Sequence, residues 1–594
     1  MLKSWLKKGI VWGIIIFMVA ASVAILEVRA ISDISITQRM PLRSNHLSPL
    51  VNWTQQMKLL ASDGTTWDEF GFSVSLSGDT ALIGVPADDN SNGSVYVFIR
   101  NGTTWVQQAK ILAPFGVEGK EFGFSVTVDG DTALIGVPFS GGNVEWSGSV
   151  YIFTRTGTIW TQQAKLNASD GIAWDGFGYS ASISGDTAII GAYDSNGNIE
   201  YSGSAYVFTR TDTTWTQQAK LLASDGAAGD KFGLSVSLSG DTALIGAPFS
   251  IGIEAWSGST YVFTRQGTTW TQQQKLNASD GAAGDKFGLS VSLSGDTALI
   301  GADCDNDTEN YSGSAYVFIR DGTTWVQQAK FLASDGPANS RFGSSVSLNG
   351  DTAFIGAKSD NNYTGSVYIF TRTGTIWKQQ TKLIASDGVE GAGFGWSVSL
   401  SGDTALIGAP FDNVSGQHSG SAYMFAKENQ PPNMSTINGP LWGIDNIENS
   451  FYTNVTDPDE DGIYCMWNWG DGNITNWLGP YFSGETINAS HSWSQKKTYE
   501  IRVKLKDVHG AENNWSDPHF ITIRAIKKSF VYGRYTNMSA EDGFITIEAV
   551  NLRMIQSKPF QFLHYIAGEI IMFSEEYKGI MTSWFIFGRF NVVE

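Results

Sequence analysis

The sequence predicts an all-β chain whose largest part is a seven-bladed β-propeller, and three observations predict it. Phe-Gly pairs begin at Phe70, Phe122, Phe177, Phe232, Phe287, Phe342 and Phe394, at spacings of 52, 55, 55, 55, 55 and 52 residues. An aspartate follows each Phe by nine residues, at Asp79, Asp131, Asp186, Asp241, Asp296, Asp351 and Asp403. Residues 223–247 and 278–302 are identical over 25 positions, which marks duplicated units rather than chance. A unit of four short strands, about 50 residues long and repeated radially, is a propeller blade.

The elements follow in chain order. The first thirty residues place Lys3, Lys7 and Lys8 before an apolar run over 9–26. This is an export signal, cleaved after Ala30 or retained as a membrane anchor, and either outcome sends the body of the protein outside. A linker, 31–50, leads to "VNWTQQMKLL" at 51–60, which has the sequence of a unit's last strand but precedes the first Phe-Gly. The seventh unit ends at "SGSAYMFAKEN" (419–429) with no "WTQQ" after it. The first strand is therefore predicted to complete the last blade and clasp the ring, giving a propeller over 51–428.

Within each unit a run such as "FGLSVSL" is followed by a tight "SGD" turn, then "TALIGAP", a looser loop, "SGSAYVFTR", a short turn and "WTQQAKL". Runs of β-branched and aromatic residues bounded by Gly, Asp, Asn and Ser read as strands joined by turns. "TALIG" and "AYVF" are continuously apolar, as strands covered on both faces are; "WTQQAKL" suits an outer strand half in water. The small residues of "IGA" allow backbones to crowd where the wedge narrows. In an antiparallel meander the short turns share one end of the disc and the long connections the other.

That long-loop end is the predicted binding face. It carries Asp88, Asp89, Glu145, Asp225, Asp230, Asp305 and Asp412, and aromatic residues recur on it just before the third strand, at Trp146, Tyr201, Trp256, Tyr311 and Tyr363. Their repetition reads as a hairpin role, with stacking on sugars as the functional alternative.

Composition narrows the partners. The net charge is −19 with pI near 4.8, which argues against nucleic acid and suits cations, a basic partner or simple solubility. The two cysteines, Cys304 and Cys465, fall in different parts of the chain and read as free thiols. Asn-x-Ser/Thr sequons number fifteen, in keeping with an exported, glycosylated chain. No nucleophile elbow, zinc-binding His-Glu-x-x-His or phosphate loop occurs, so no catalytic or cofactor-binding residue is assigned.

The units "FGxSVSLSGDTALIGAP" with "GSAYVF" resemble FG-GAP repeats, the blades of the integrin α-chain propeller and of microbial surface proteins, over residues 51–428. In the integrin type a calcium loop lies between the Phe-Gly and Gly-Ala-Pro strands. Here that loop has shrunk to "SGD", "DGD" or "NGD", too short to gather the six to eight oxygens calcium takes. The recurring Asp is instead expected to bond its own turn backbone. After the linker "NQPPNMS", residues 429–525 contain "WNWGDGN" (467–473) and "HSW" (491–493), and resemble a polycystic-kidney-disease (PKD) domain, which implies an immunoglobulin-like β-sandwich acting as spacer. Trp467 and Trp469 should share one sheet face, with Gly470–Gly472 turning after them.

One constellation suggests a metal. Asp457, Asp459 and Asp461 in "DPDEDG" have the alternate spacing and closing Gly of a calcium loop, although Asn468 stands at the twelfth position where a bidentate Glu belongs. A solvated acidic turn is the alternative. "DCDNDTEN" places Asp303, Asp305 and Asp307 similarly, without the glycine. Residues 526–594 are expected to form a small β-rich module in which "SFVYGRY" and "FIFGRF" are related strands. The expected function is non-enzymatic recognition or adhesion at the cell surface or after secretion, toward an extracellular protein or glycan. The alternative is a propeller glycosidase or lyase, which should concentrate non-repeating polar residues in one or two blades.

Overall fold

The structure, a computed structural model, describes residues 52–114, 120–459 and 461–524, together with the backbone of 526–541, 544–554, 570–577 and 580–593. The expected export segment and linker, 1–50, lie outside the described residues. Among the described residues no helix is long and apolar enough to cross a membrane.

Seven four-stranded antiparallel sheets follow one another along the chain, and six of them are formed by four consecutive strands. In the seventh, Ser397–Ser401, Thr404–Ala409 and Ser421–Lys427 are completed by Trp53–Leu59, which pairs antiparallel with the third strand from Trp53 opposite Lys427 to Leu59 opposite Ala422. The predicted clasp is present. The innermost strand of the first blade, Ser73–Ser77, lies against that of the second, Ser125–Asp129, and that of the seventh, Ser397–Ser401, so the disc closes.

The burial pattern follows the sequence. Second strands such as Thr242–Ala247 are buried at every position, while outer strands such as Thr214–Leu221 bury only their Trp and terminal Leu and leave the Gln and Lys half-exposed. The apolar clusters lie between blades rather than within them. Phe232, Ile245 and Tyr261 of the fourth blade pack with Ile189, Val207 and Leu221 of the third, and Leu59, Leu406 and Met424 of the seventh pack with Phe70, Ile83 and Tyr96 of the first. Each Phe of a Phe-Gly pair is fully buried and stands edge-on to the Tyr and Phe of its own third strand, as Phe232 does to Tyr261 and Phe263 at 5.4 and 6.1 Å.

Polar stitches join the same neighbours. The serine three residues after each Phe of a Phe-Gly pair donates to the carbonyl of the next blade's Phe-Gly glycine: Ser73 to Gly123, Ser125 to Gly178, Ser180 to Gly233, Ser235 to Gly288, Ser290 to Gly343, Ser345 to Gly395 and Ser397 to Gly71, all at 2.8–2.9 Å. The second-strand glycine faces the same carbonyl, and a Cβ on Gly84 would stand 2.1 Å from Gly123 O, one on Gly408 2.0 Å from Gly71 O. On the outside, the Trp of one outer strand donates from Nε1 to the second glutamine of the preceding one, as Trp215 does to Gln163 and Trp270 to Gln218, both at 2.9 Å. The repeated "WTQQ" is thus a stitch between rims.

Residues 429–524 form a β-sandwich. A three-stranded sheet (Asn433–Met434, Asn449–Thr456, Thr486–His491) faces a five-stranded one (Trp442–Ile444, His519–Arg524, Thr498–Asp507, Ile463–Asn468, Leu478–Tyr481). Trp467 and Trp469 are buried on one face with rings stacked at 5.4 Å, around a core that includes Trp493, Tyr499 and Ile501. Cys465 lies in this core and Cys304 in the propeller, both as buried free thiols. The terminal residues form a four-stranded antiparallel sheet in which Ile526–Glu541, holding "SFVYGRY", pairs with Ile580–Val593, holding "FIFGRF".

Gly408→Ala is expected to destabilise the propeller by about 2–3 kcal/mol in urea unfolding, because the new methyl meets a backbone carbonyl that cannot rotate away. Gly78→Ala, a left-handed turn position (φ 53°) with nothing within 4 Å of the added carbon, should cost only about 1 kcal/mol.

Candidate recognition face

The short-turn end is consumed by structure. In six blades the aspartate of the "SGD"-type turn accepts from the Arg near the end of the third strand, with Arg155, Arg210 and Arg265 on Asp131, Asp186 and Asp241 at 2.6, 2.6 and 2.5 Å. Each of these guanidinium groups also lies over the Trp of its outer strand, 5.2–5.3 Å from the ring centroid. The expectation that this Asp bonds its own turn is therefore corrected. Its partner is a charge 24 positions on, or 21 in the two shorter units, brought beside it by strand pairing.

At the long-loop end most of the predicted acids are also committed. The outer-strand Lys and the third-strand Tyr of a blade close on the Asp of the preceding "ASDG" loop: Lys275 and Tyr261 on Asp225 at 2.7 and 2.8 Å, Lys220 and Tyr206 on Asp170 at 2.6 and 2.9 Å. Burial disfavours these carboxylates' charge, but the hydrogen bonds from Lys and Tyr override it and hold Asp225 and Asp170 below the usual range. In the first, fifth, sixth and seventh blades a second, buried acid joins the same lysine: Asp88 on Lys110, Asp305 on Lys330, Asp360 on Lys382 and Asp412 on Lys58, at 2.7–2.9 Å. Blades two, three and four have Ser140, Ser195 and Ser250 at that position. Lys330 also holds Asp307, so the expected cation of "DCDNDTEN" is the chain's own ammonium. Asp230 and its equivalents Asp175 and Asp285 brace the inter-blade loop, accepting from the backbone of Ala227, Ile172 and Ala282 at 2.7, 2.8 and 2.6 Å. Of the predicted acids, Asp89, Glu145 and Asp225 stand exposed, the last while held by Lys275 and Tyr261.

This end also leaves aromatic rings open to solvent. Trp146, Tyr201, Trp256, Tyr311, Tyr363 and His418 occupy one equivalent slot in six blades, every one in the left-handed region with φ between 52° and 65°. Trp256 and Tyr363 are 65% and 62% exposed. The hairpin reading holds for the main chain, since Trp146 O accepts from Trp174 N and Tyr363 O from Gly393 N, both at 2.8 Å. It does not account for the rings, because the first blade makes the same turn with Ser91 (φ 65°) and its carbonyl accepts from Glu121 N. A second pair, Trp67 and Trp174, takes left-handed positions that Gly229, Gly284 and Gly391 fill elsewhere. Trp174 stacks on Trp146 at 5.0 Å and Trp67 stands edge-on to His418 at 4.4 Å.

The mouth of the central opening lies inside this rim and is not uniform. The residue after each Phe-Gly forms an aromatic arc on blades seven to three: Trp396 to Phe72 at 5.7 Å, Phe72 to Phe124 at 5.0 Å and Phe124 to Tyr179 at 4.8 Å. Blades four to six have Leu234, Leu289 and Ser344 there. The residue before each Phe is Glu69 or Glu121 in blades one and two, and Lys231, Lys286 or Arg341 in blades four, five and six. Burial raises both glutamates, and Glu69 also feels the charge of Glu121. The Pro of "GAP" is replaced by Tyr193, Asp303 and Lys358 in blades three, five and six. This departure from uniformity was missed on reading the strands, although the substitutions in "GAP" were its signal.

The third site is the acidic loop of the sandwich. One carboxylate oxygen from each of Asp457, Asp459 and Asp461 lies within 4.8 Å of the others. Asp457 Oδ1 accepts from the backbone of Asp459 and Asp461, and its Oδ2 is buried without a hydrogen-bond partner. Asp459 is held from the propeller side, by Lys427 Nζ at 3.1 Å and by the Gln430 backbone N–H at 2.6 Å. Lys427 stands where the other blades have Arg, and its distance to Asp403 stretches to 3.9 Å. The loop therefore fastens the sandwich to the seventh blade. The "GDG" turn makes a similar local link, with Asp471 on His491 at 2.8 Å and that imidazole stacked on Trp469.

Burial pushes Asp285 up to about 6, and its Oδ1 has no partner. Because the folded pKa lies above the ordinary carboxylate value, this group favours folding once protonated, and its contribution grows as pH falls from about 6 to about 4. Asp285→Asn should therefore raise stability by about 1–2 kcal/mol at pH 7 and by little at pH 4, measured by denaturant unfolding at both.

Comparison with known proteins agrees with this geometry. The FG-GAP repeat family matches residues 53–98, 105–153, 160–208, 215–263, 270–318, 325–370 and 377–425, one match per blade. No curated protein matches the chain. Among solved structures, the PKD domain of an M14-like peptidase from Thermoplasmatales archaeon SCGC AB-540-F20 is 38% identical, covering 16% of this chain and 98% of that one, with a TM-score of 0.16. The extracellular domain of a putative hybrid two-component system from B. thetaiotaomicron is 13% identical over 80% of this chain, at a TM-score of 0.33; this chain spans 57% of its length. The α-L-arabinofuranosidase PaAbf62A from Podospora anserina is 11% identical over 64% of this chain and 98% of that one, at a TM-score of 0.26. With seven matched repeats forming seven blades, the chain belongs to the FG-GAP repeat family.

Proposed function

We propose that this is a non-enzymatic extracellular recognition protein whose ligand docks on the long-loop face of the propeller, with the sandwich as a spacer. One observation carries the reading: six blades project an aromatic side chain from the same left-handed slot, although the turn itself accepts serine. A bulky residue at positive φ costs of order 1 kcal/mol, and such strain persists where a function retains it. Exposed aromatic faces flanked by acids suit the C–H faces and hydroxyls of saccharides, and equally the anchors of a protein partner. The partner is thus an extracellular glycan or protein, met at the cell surface or after secretion. A pull-down of cell-envelope fractions with the purified protein, paired with a glycan array, should return a ligand. Its affinity should fall at least tenfold in a Trp174→Ala/Trp256→Ala variant that unfolds at the wild-type midpoint. Retention of full affinity by that variant would remove this face as the docking surface.

A second reading, a polysaccharide-acting enzyme, is favoured by one feature. Glu69 and Glu121 are two neighbouring carboxylates that burial disposes to hold protons, and paired carboxylates of that kind perform glycoside hydrolysis. Turnover of any polysaccharide by the full chain, lost in Glu121→Gln, would establish it in place of recognition.

The sandwich loop is proposed to take calcium through Asp457, Asp459 and Asp461, with the unpartnered Asp457 Oδ2 as the free ligand. Lys427 competes for one of these carboxylates, Asp459. Calorimetric titration should therefore give tighter calcium binding in Lys427→Met than in wild type, and none in Asp457→Asn. Absence of binding in all three proteins would leave the loop as a clasp for Lys427 alone.

A further inference from the structure

We propose that the mouth of the propeller at blades five and six is a binding site for a carboxylated saccharide, a sugar chain bearing uronic acid groups, held by Lys286, Arg341 and Lys358 beside the aromatic arc. This rests on the recognition reading above and names the ligand class for the same face.

The cations themselves point to an anion. The propeller's repeated basic residues are spent on aspartates: the third-strand arginines on the "SGD" acids, and the outer-strand lysines on the loop acids in every blade but the second. Lys165 of that blade turns to the Gly141 carbonyl instead, at 2.8 Å. Lys286, Arg341 and Lys358 depart from this. Among the described residues none of the three lies within ion-pairing distance of a carboxylate, in a chain of net charge −19. Their contacts are with rings and a thiol. Lys286 Nζ is 5.3 Å from the Phe249 ring centroid, Lys358 Nζ 4.2 Å from that of Trp396, and the Arg341 guanidinium 4.5 Å from that of Tyr311, with one N–H on Cys304 Sγ at 2.8 Å.

The fold brings them together. Arg341 precedes the innermost strand of the sixth blade and Lys358 follows its second strand, and the pairing of Phe342 with Ala357 sets the two at the same end of that hairpin. Arg341 reaches back to Cys304 of the fifth blade, where Lys286 and Asp303 flank the corresponding hairpin. Burial lowers the Lys358 pKa; the charge of Asp303 opposes that shift, while those of Arg341 and Lys286 add to it, so three cations share one place with a single acid. An arriving carboxylate would meet positive charge still in excess. The Arg341 fork offers bidentate geometry, and Lys358, already stripped of much of its water, gives up little more on binding.

The surroundings select the carrier of the charge. Lys358 lies over Trp396, the first ring of the arc through Phe72, Phe124 and Tyr179, and those half-buried rings offer apolar faces to the C–H side of pyranose rings.

The test is calorimetric titration of the purified full chain with oligogalacturonate, with the same oligomer after reduction of its carboxyl groups, and with single-stranded DNA. Binding of oligogalacturonate alone is expected, weakened by raising the salt, and at least tenfold weaker in Arg341→Gln/Lys358→Met. Lys286→Gln, which leaves the sixth blade untouched, should weaken it several-fold and guards against a folding defect in the double variant. Equal binding of the reduced oligomer, preference for DNA, wild-type affinity in the cation variants, or no binding of oligogalacturonate, alginate or hyaluronan at millimolar concentration would each overturn the proposal. The rim reading stands apart, because loss of the envelope ligand in Trp174→Ala/Trp256→Ala does not depend on these cations.

Discussion

The structure depends on one contact made seven times. At each blade junction the carbonyl of a Phe-Gly glycine comes up against the second-strand glycine of the previous blade while accepting from the serine three residues after that blade's own Phe. Any Cβ at the second-strand position would stand about 2 Å from the oxygen, so the wedge angle is set by the absence of a side chain on both partners. The hydrogen bond satisfies a carbonyl that close packing has removed from water. Because the seventh instance, Ser397 to Gly71, joins residues 326 positions apart, the same contact that spaces the blades also closes the ring.

Around that core the charges divide into two populations. The repeated ones are structural: Arg and Asp lock the short-turn end, Lys, Tyr and Asp lock the long-loop end, and each joins segments from different strands or adjacent blades. They explain how a strongly acidic chain can hold so many carboxylates near its framework, most of them opposed by a cation or a phenol and the Asp230 set by backbone N–H groups. The non-repeated ones are the exception, and they gather at the mouth: Glu69 and Glu121 in blades one and two, and cations in blades four to six, where Gly-Ala-Pro becomes Gly-Ala-Asp in the fifth and Gly-Ala-Lys in the sixth. A duplicated scaffold supplies the first population automatically. The second has arisen in individual copies, and so has the pair Trp67 and Trp174, set where glycine is the easier residue.

Fold legibility was high because periodicity is a property of the chain. Phe-Gly spacing, the fully apolar second strands and the stray "WTQQ" at 51–60 contain the blade count and the clasp without reference to any contact. The tryptophan pair of the sandwich was legible through simple alternation, since Trp467 and Trp469 are two residues apart, at the end of the strand Ile463–Asn468 and just past it, with their rings stacked. The site was legible only in outline. The aromatic slot could be read from position, but Asp305 and Asp412 read as acids of the binding face, Asp307 as a metal ligand, and the "SGD" aspartates as turn residues. Their partners Lys330, Lys58 and Arg210 lie on other strands or at the far end of the chain, as with Lys58 and Asp412.

What the sequence by itself determined is therefore everything that depends on pattern along the chain: strand order, blade number, the short and long ends of the disc, and the glycines that permit close approach. What only the tertiary structure decided is which charges remain unpaired. Whether a lysine is neutralised depends on distances of a few ångströms between segments remote in sequence. Strand pairing and ring closure set those distances, placing Lys427 on Asp459 of the sandwich while leaving Lys358 over a tryptophan with no carboxylate to hold.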